Sequence, residues 1–353
     1  MIVLGIESSC DETSAAVVED GFKLHSCVVS SSMDLHVLYG GVVPEIAARS
    51  HIEAINTVVE QALEEAHVTW DDIDAIAVTY GAGLGGSLLI GVLTARTLAI
   101  TKQKPLYAIN HVEGHIYANF LTETSLPHYV LPAAQPEFPM LGLIVSGGHS
   151  QLVLFRNHFD YTLLGQTQDD AIGEAFDKVA KIIGLPYPGG PSVGKKAMEG
   201  DARKIEFPKA KLAGKYDFSF SGVKTAVLRA AQAEIGEDFT FPSKDLPQRL
   251  SEAQKADIAA SFQRVAVETV VDKAVLAFGE FKPKSFVIGG GVAASPELRW
   301  QLAERLPLPI AYTDPKLCTD NGAMIATLGC FKAMNEQPTA DPYSLDIAPN
   351  LSM

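Results

Sequence analysis

Alternating hydrophobic and polar positions along the first thirty residues predict three short strands. IVLGIE and AAVVE are separated by the polar turn SSCDETS, and the hairpin signal Asp20-Gly21 precedes FKLHSCVVS. Strands joined by turns this short pair antiparallel, so the N-terminus is predicted to form a β-meander. The same design returns after residue 139 as MLGLIVS, the turn GGHS and QLVLF.

Helical periodicity dominates the rest of the chain. Residues 44–67 carry an apolar stripe and begin with a proline suited to a first helical turn; the stripe consists of Ile46, Ile52, Ile55, Val59 and Leu63. Further helices are predicted at 88–100, from 111, and at about 171–183, 223–235 and 251–278. Strands are predicted at 73–79, 106–109 and in SFVIGG. This alternation predicts an α/β fold of two similar halves, typical of an ancient duplication.

The boundary between the halves is predicted where the periodicity stops. Residues 122–139 contain four prolines and no clear period, which is typical of a connection between lobes. We therefore expect a first lobe of residues 1–125 with about 322–353, and a second lobe of residues 126–321.

Composition favours an acidic globular protein. The 353 residues include 28 Lys+Arg and 42 Asp+Glu, a net charge of −14, and 47% are hydrophobic. The N-terminus has no basic flank and carries Glu7 inside its apolar stretch, so we expect no signal peptide and a cytoplasmic location. The longest apolar run, 84–95, is too short to cross a bilayer, so no membrane partner is expected.

Positive charge is concentrated in one segment. Residues 195–224 contain eight Lys/Arg against four acids, together with four aromatic residues. This segment is either an anion-binding surface, as for RNA, or a solvated basic loop whose aromatic side chains lie in the core.

Three Gly/Ser-rich turns follow strands: SSCDETS at 8–14, VSGGHS at 145–150 and GGGVAAS at 289–295. Such turns offer backbone N–H groups and hydroxyls to anions. One such turn is weak evidence, but three at equivalent strand ends favour nucleotide binding.

His111 and His115 form an H-x3-H pair. On a helix they lie about 40° apart on one face, a spacing suited to two imidazoles on one metal. Glu113 points to another face, which argues against the H-E-x-x-H arrangement of zinc peptidases. Two unrelated histidines are the alternative, and spacing alone does not rank Asp320 above other acids as a third ligand.

These motifs together resemble a known family. The resemblance rests on ESSCDETSAAVV, GGVVPEIAARSH, HVEGH, VSGGHSQL, GEAFDKVAKIIGLPYPGGP, FSFSGVKTA and CTDNGAMIA. The chain is similar to the bacterial branch of the universal tRNA threonylcarbamoyladenosine transferases, formerly labelled O-sialoglycoprotein endopeptidases. The resemblance implies the actin/Hsp70/sugar-kinase-like (ASKHA) fold, a duplicated α/β fold of ribonuclease-H-like lobes with a central nucleotide cleft.

The resemblance also implies roles for individual residues. His111, His115 and Asp320 would bind one divalent metal, with iron(II) expected, zinc as the alternative and Mg²⁺ accompanying a nucleotide. Substrate binding is expected at Ile144, Val145, Ser146, Gly147, Gly148, Asp177, Gly190 and Ser295. Ser295 stands where the family usually has Asn, and Gly194 where many relatives have Asp. Glu12, in the first polar turn, is expected to order the catalytic site.

The implied reaction transfers a threonylcarbamoyl group from threonylcarbamoyl-AMP to the exocyclic amine of an adenosine in tRNA, releasing AMP. The adenosine is 3′-adjacent to the anticodon in tRNAs that read codons beginning with A. Implied partners are an inactive paralogous subunit, a P-loop ATPase subunit and a separate synthase. An acidic helix in residues 51–74 is either one such interface or a solvated face.

Three other functions are weighed against this one. A kinase or ATPase of the same fold leaves the histidine pair unexplained. A non-catalytic scaffold would have lost HVEGH and CTDNG, yet both are intact. A metallopeptidase is disfavoured by the position of Glu113.

Overall fold

The first predicted meander is present in the computed structural model, which describes residues 1–310 and 312–353. Its hairpin turns at Asp20 and Gly21, whose φ angles of 52° and 75° are those that a tight two-residue turn requires. The meander belongs to a six-stranded sheet of β1 (Ile2–Glu7), β2 (Glu12–Glu19), β3 (Lys23–Ser31), β4 (Ala75–Gly81), β5 (Leu106–Asn110) and β6 (Glu123–Thr124).

The strand order of this sheet combines the meander with α/β units. It runs β5-β4-β1-β2-β3-β6. β1, β2 and β3 pair antiparallel, whereas β4 pairs parallel with both β1 and β5. Parallel neighbours need a crossover connection, and the helical segments between the strands supply it.

The second predicted meander forms a separate four-stranded sheet in the order β10-β7-β8-β9. Its strands are β7 (Met140–Val145), β8 (Ser150–Asn157), β9 (Asp160–Gln166) and β10 (Ser285–Gly289). β7 and β8 pair antiparallel with every residue of β7 buried. This burial explains why β7 is almost entirely apolar.

Twelve α-helices connect the strands in the described residues. They are α1 (Met33–Val37), α2 (Pro44–Glu65), α3 (Gly85–Lys102), α4 (His111–Tyr117), α5 (Ile172–Ile183), α6 (Gly189–Ala197), α7 (Ser221–Glu234), α8 (Leu246–Arg249), α9 (Glu252–Phe281), α10 (Pro296–Arg305), α11 (Pro315–Cys318) and α12 (Gly322–Met334). None of these helices is both long and apolar enough to span a membrane.

The apolar stripe predicted for α2 needs one correction. Ile52 is 58% exposed, while the neighbouring His51 is fully buried. The buried face of α2 includes Ile55, Val59 and Leu63, which pack with β1 and β2 residues in one core cluster. His51 occupies this face because both of its ring nitrogens find hydrogen-bond partners there.

Contacts divide the chain into two units, each with its own sheet. One unit comprises Met1–Glu137, Val287–Gly289 and Ala311–Met353, and the other comprises Phe138–Phe286 and Gly290–Ile310. The lobe boundaries expected from sequence, at 125/126 and 321/322, stay a prediction.

Candidate metal centre and substrate-binding segments

Helix α4 begins at His111, directly after β5, and carries both predicted histidines. Asn110 ends β5 and caps the helix, because its side-chain oxygen accepts hydrogen bonds from the N–H groups of Val112 and Glu113 at 2.9 and 3.4 Å. His111 and His115 are buried one helical turn apart, and their ring centroids are 4.7 Å apart. Their common face is the one that the spacing predicted.

Asp320 lies just before α12, whose first residues are fixed against the first sheet. Asn321 caps the helix, and the Gly322 N–H donates to Ser14 Oγ at 2.8 Å. A Cβ at Gly322 would lie 2.7 Å from the backbone nitrogen of Ala16, so only glycine permits this close approach. The approach brings Asp320 beside α4.

The three side chains form one cluster of potential metal ligands. The Nε2 atoms of His111 and His115 each lie 3.4 Å from Asp320 Oδ1. Two ligands that are each ~2.1 Å from an ion at a tetrahedral angle are about 3.4 Å apart. Neither ring nitrogen of His115 has a hydrogen-bond partner among the described residues, although both are buried. The donor set and the orphaned nitrogens therefore fit a divalent metal ion.

The two histidines differ in charge. Burial lowers the pKa of His111, but Asp320 and Glu7 outweigh it and raise the pKa to about 9. Burial also lowers the pKa of His115, and the neighbouring His111 cation adds to this effect. Without metal, His111 is therefore an imidazolium between two carboxylates, and His115 is a neutral ring.

Glu12 begins β2 in the same unit and lies near acidic neighbours. Burial, Asp320 and Asp11 together raise the pKa of Glu12 to about 10, since an ionised carboxylate would be desolvated and repelled there. Ser31 Oγ donates to Glu12 Oε1 at 3.3 Å. Glu12 thus feels the charge of Asp320 directly, and a cation at Asp320 would remove the repulsion.

The turn at Ile144–Gly148 combines a buried start with an exposed end. Ile144 and Val145 end β7 in the core, whereas Gly147 and Gly148 are exposed. Ser146 closes the turn, because its N–H donates to the His149 carbonyl at 2.8 Å and its hydroxyl accepts from the His149 N–H at 3.0 Å. No atom lies within 4 Å of a Cβ built at either glycine, so the turn has open space beside it.

Asp177 and the start of α6 are in direct contact. Asp177 Oδ1 accepts a hydrogen bond from the Gly189 N–H at 2.6 Å, which fixes the turn before Gly190. Burial raises the pKa of Asp177, and the Gly189 hydrogen bond opposes this. Beyond its own helix and chain neighbours, nothing lies within 4 Å of a Cβ built at Gly190, so there is space for a ligand on that side of the residue. The helix α6 begins at Gly189, within the GGP sequence.

Ser295 and Gly194, the two departures from the family pattern, have different surroundings. Ser295 caps α10, and its hydroxyl accepts from the Leu298 N–H at 3.4 Å. Asn also caps helices, so this replacement preserves the local fold. Gly194 lies within α6, where a Cβ would meet only the side chain of Gln263, at 3.4 Å.

Comparison with known proteins decides the family. The sequence profile of the tRNA N6-adenosine threonylcarbamoyltransferases matches residues 23–327. The chain belongs to this family of tRNA N6-adenosine threonylcarbamoyltransferases. It is 49% identical over 336 residues to the tRNA N6-adenosine threonylcarbamoyltransferase of Thermomicrobium roseum, covering 92% of this chain and 90% of that one. It is 47% identical to that of Desulfitobacterium hafniense, covering 99% and 97%.

The fold of the chain is similar to that of a solved structure. Full-length HypF, in its phosphate- and nucleotide-bound form, is 14% identical and aligns with a TM-score of 0.59 over 95% of this chain and 56% of that one. The predicted ASKHA fold class is confirmed, as are the family resemblance and the transferase function. The kinase alternative is not favoured, because the relatives that match this chain over nearly their whole length are named as transferases.

Three residues near the cluster of potential metal ligands in this transferase were not predicted from the sequence. Glu7 and Ser9 both lie within 3.1 Å of His111 Nδ1. His51 Nε2 donates to the Cys10 carbonyl at 2.9 Å, and its Nδ1 accepts from Thr13 Oγ at 2.8 Å, which fixes the turn between them. The available signal for Glu7 was an acid at the end of the apolar strand IVLGIE.

The basic segment 195–224 is only partly available to an anion. Its four aromatic side chains are buried, as one of the two interpretations required. Four of its eight cations form ion pairs with acids; these are Lys196, Lys209, Lys215 and Lys224. Lys195, Arg203, Lys204 and Lys211 have no ion pair with the described residues.

Proposed function

We propose that this chain transfers the threonylcarbamoyl group from threonylcarbamoyl-AMP to the exocyclic amine of the adenosine 3′-adjacent to the anticodon, in tRNAs that read codons beginning with A. The observation that carries this proposal is the cluster of buried His111 and His115 with half-buried Asp320, in a chain whose sequence matches the transferase family over residues 23–327. The proposed site of action is the cytoplasm, because tRNA is the substrate.

The proposed cofactor is one divalent ion held by His111, His115 and Asp320. A set of two imidazoles and one carboxylate suits iron(II), and zinc accepts the same donors. When bound, such an ion supplies Lewis acidity that neutralises phosphate charge or polarises the carbamoyl oxygen. Its positive charge would also lower the pKa of Glu12, whose carboxylate is proposed to order this site.

The second unit is proposed to bind the adenylate. The exposed amides of Gly147 and Gly148 would donate to the phosphate, while Ile144, Val145 and Ser146 hold the turn in place. Asp177 and the backbone at Gly190 are the proposed contacts of the ribose and adenosine. Ser295 is the proposed contact at the adenine, although its hydroxyl also caps α10.

The transfer step follows from the chemistry of the mixed anhydride. The adenosine N6 lone pair attacks the carbamoyl carbon, the bond from that carbon to the phosphate oxygen breaks, and this oxygen keeps the electron pair as AMP leaves. The N6 atom then loses one proton to water. Backbone donors around the phosphate stabilise the charge that develops there, and the rest of the acceleration comes from positioning.

The proposed tRNA contacts are the unpaired cations Lys195, Arg203, Lys204 and Lys211. A chain with a net charge of −14 repels phosphates elsewhere, so we expect the partner subunits to complete the RNA-binding surface. The proposed partners are an inactive paralogous subunit and a P-loop ATPase subunit, with a separate synthase supplying the adenylate. The anticodon loop is single-stranded, so its adenosine is accessible without opening a duplex.

A reconstituted reaction tests this function. The chain, its partner subunits and the synthase are incubated with labelled threonine, bicarbonate, ATP and unmodified tRNA, and the digested RNA is analysed for threonylcarbamoyladenosine. We expect label in this nucleoside with the wild type, and none with the His111→Ala/His115→Ala double variant. ATP consumption without tRNA and without labelled nucleoside would instead support a kinase.

A further inference from the structure

The ring of His111 is held on the side opposite the cluster. Its Nε2 faces Asp320 Oδ1, while Nδ1 lies 3.1 Å from Glu7 Oε2. Glu7 is the last residue of β1 and has no exposed surface. A fully buried carboxylate is costly unless hydrogen bonds compensate for its lost hydration, so its partners indicate its role.

Glu7 is itself fixed by two donors from the same unit. Its Oε1 accepts from the Ser9 N–H at 2.5 Å, and its Oε2 accepts from Thr79 Oγ at 2.5 Å. Because each carboxylate oxygen accepts one of these hydrogen bonds, the two donors restrain the orientation of the carboxylate. In this orientation Oε2 also lies 3.1 Å from His111 Nδ1.

A carboxylate that only accepts hydrogen bonds selects one form of the imidazole. Nδ1 of His111 must carry a proton to bond with Glu7, so Nε2, which faces Asp320, is the ring nitrogen left to bind a metal ion. The Ser9 hydroxyl, 3.1 Å from Nδ1, could donate to that nitrogen and would then select the opposite form, so Glu7 decides between them. His115 has no corresponding partner, because its Nδ1 makes no hydrogen bond with the described residues.

We propose that Glu7 is a positioning residue, which fixes the ring orientation and the Nδ1–H form of His111 so that Nε2 is ready to bind the metal. Carboxylates that bond to a ligating histidine typically change metal affinity 10–100-fold when they are removed. The inference rests on the proposed metal site. Glu7 would change the affinity for the ion through His111, without contacting the ion itself.

Zinc affinity of the whole chain tests the proposal directly. Competition with a chelator gives the Zn²⁺ dissociation constant of the wild type, Glu7→Gln and Glu7→Ala. We expect zinc to bind 10–100-fold more weakly to Glu7→Ala, and Glu7→Gln to recover part of the loss because its amide oxygen still accepts from Nδ1. The matched control is Glu113→Gln. Glu113 is a buried acid like Glu7 but lies on α4, and we expect the zinc affinity of this variant to stay within threefold of the wild type.

Two further measurements keep the test decisive if Glu7 variants unfold. Thr79→Val removes a donor that fixes Glu7 and should weaken zinc binding severalfold while preserving side-chain shape. In the zinc-loaded wild type, NMR should show a slowly exchanging proton on His111 Nδ1. Unchanged affinity in Thr79→Val and the Glu7 variants, or a proton on Nε2 instead, would overturn the proposal. A wild type that binds no zinc would overturn the metal site itself.

Discussion

The charge of His111 makes metal binding depend on pH. Despite the opposing effect of burial, Asp320 and Glu7 raise the pKa of His111 to about 9, and a ligating imidazole must be neutral. Each bound ion therefore displaces at least the His111 proton, and we expect Zn²⁺ affinity to rise at least about tenfold per pH unit between about pH 7 and 8. Chelator competition across this range measures the slope.

His115 provides the internal comparison for this prediction. Burial lowers the pKa of His115, the opposite direction from His111, so the proton that the ion displaces is assigned to His111. A zinc affinity that does not vary with pH would contradict the assignment of His111 as the charged ligand.

Glu12 makes the stability of the metal-free protein depend on pH. Burial and its acidic neighbours raise the folded-state pKa of Glu12 from 4.5 to about 10. The folded chain therefore keeps a proton that the unfolded chain loses above pH 4.5, and stability declines as pH rises towards 10. Glu12→Gln has no such proton to keep, so we expect it to be more stable than the wild type at pH 8 by a few kcal/mol.

Urea unfolding of the metal-free wild type and Glu12→Gln, at pH 8 and near pH 4, measures this difference in stability. Near pH 4 the wild-type carboxyl is protonated in both states, so the two proteins should have equal free energies of unfolding there. A Glu12→Gln variant that is less stable at both values would show that the carboxyl makes a favourable contact instead.

At the scale of elements, the close packing of α12 on the first sheet positions Asp320. A Cβ at Gly322 would meet the backbone of Ala15 and Ala16 at 2.7–2.9 Å, and a backbone cannot move aside as a flexible side chain can. We expect Gly322→Ala to lower the free energy of unfolding by about 1–3 kcal/mol and to weaken zinc binding, because Asp320 is displaced with the helix.

The matched control for this substitution is Gly279→Ala. Gly279 lies in α9 with nothing within 4 Å of a built Cβ, so alanine should stabilise the helix by roughly 0.5–1 kcal/mol. Equal effects at the two glycines, measured by thermal unfolding, would contradict the close-packing argument.

A second element-scale prediction concerns the turn between β1 and β2. His51 holds this turn through Cys10 and Thr13 from α2. We expect His51→Leu to cost about 1–3 kcal/mol, because it leaves buried polar groups unpaired, and His51→Gln to cost less because it retains an N–H donor. Ile52→Gln, on the exposed side of the same helix, should change the free energy of unfolding by under about 0.5 kcal/mol. Urea unfolding measures the free energy of unfolding of the three variants. Equal losses in all three would contradict the role of His51 in holding the turn.

Local patterns were sufficient to predict most of the elements. The two meanders follow from alternation and short turns, and the His111/His115 face follows from helical spacing alone. Asp320 could not be ranked from spacing, because it meets the histidines only through the packing of α12 on β1 and β2. The contacts of Glu7 and His51 could not be predicted from the sequence either, since each is a hydrogen bond between distant segments.

At the scale of the whole molecule, the negative net charge of the chain opposes the binding of negatively charged tRNA. The chain carries 14 more negative than positive charges, and half of the cations in its most basic segment are already paired. Contacts between cationic side chains and phosphates supply a large share of the affinity of proteins for nucleic acids. This balance supports the proposal that partner subunits supply part of the tRNA-binding surface.

The most direct test of the account is the metal dependence of the transfer itself. Protein stripped with a chelator is combined with its partner subunits, threonylcarbamoyl-AMP and tRNA, and threonylcarbamoyladenosine is counted per tRNA as iron(II) is restored. We predict no transfer without metal, full recovery near one ion per chain, and no recovery in His115→Ala. Transfer at the full rate by the stripped protein, or by the metal-saturated variant, would contradict the central claim that His111, His115 and Asp320 hold the ion on which the reaction depends.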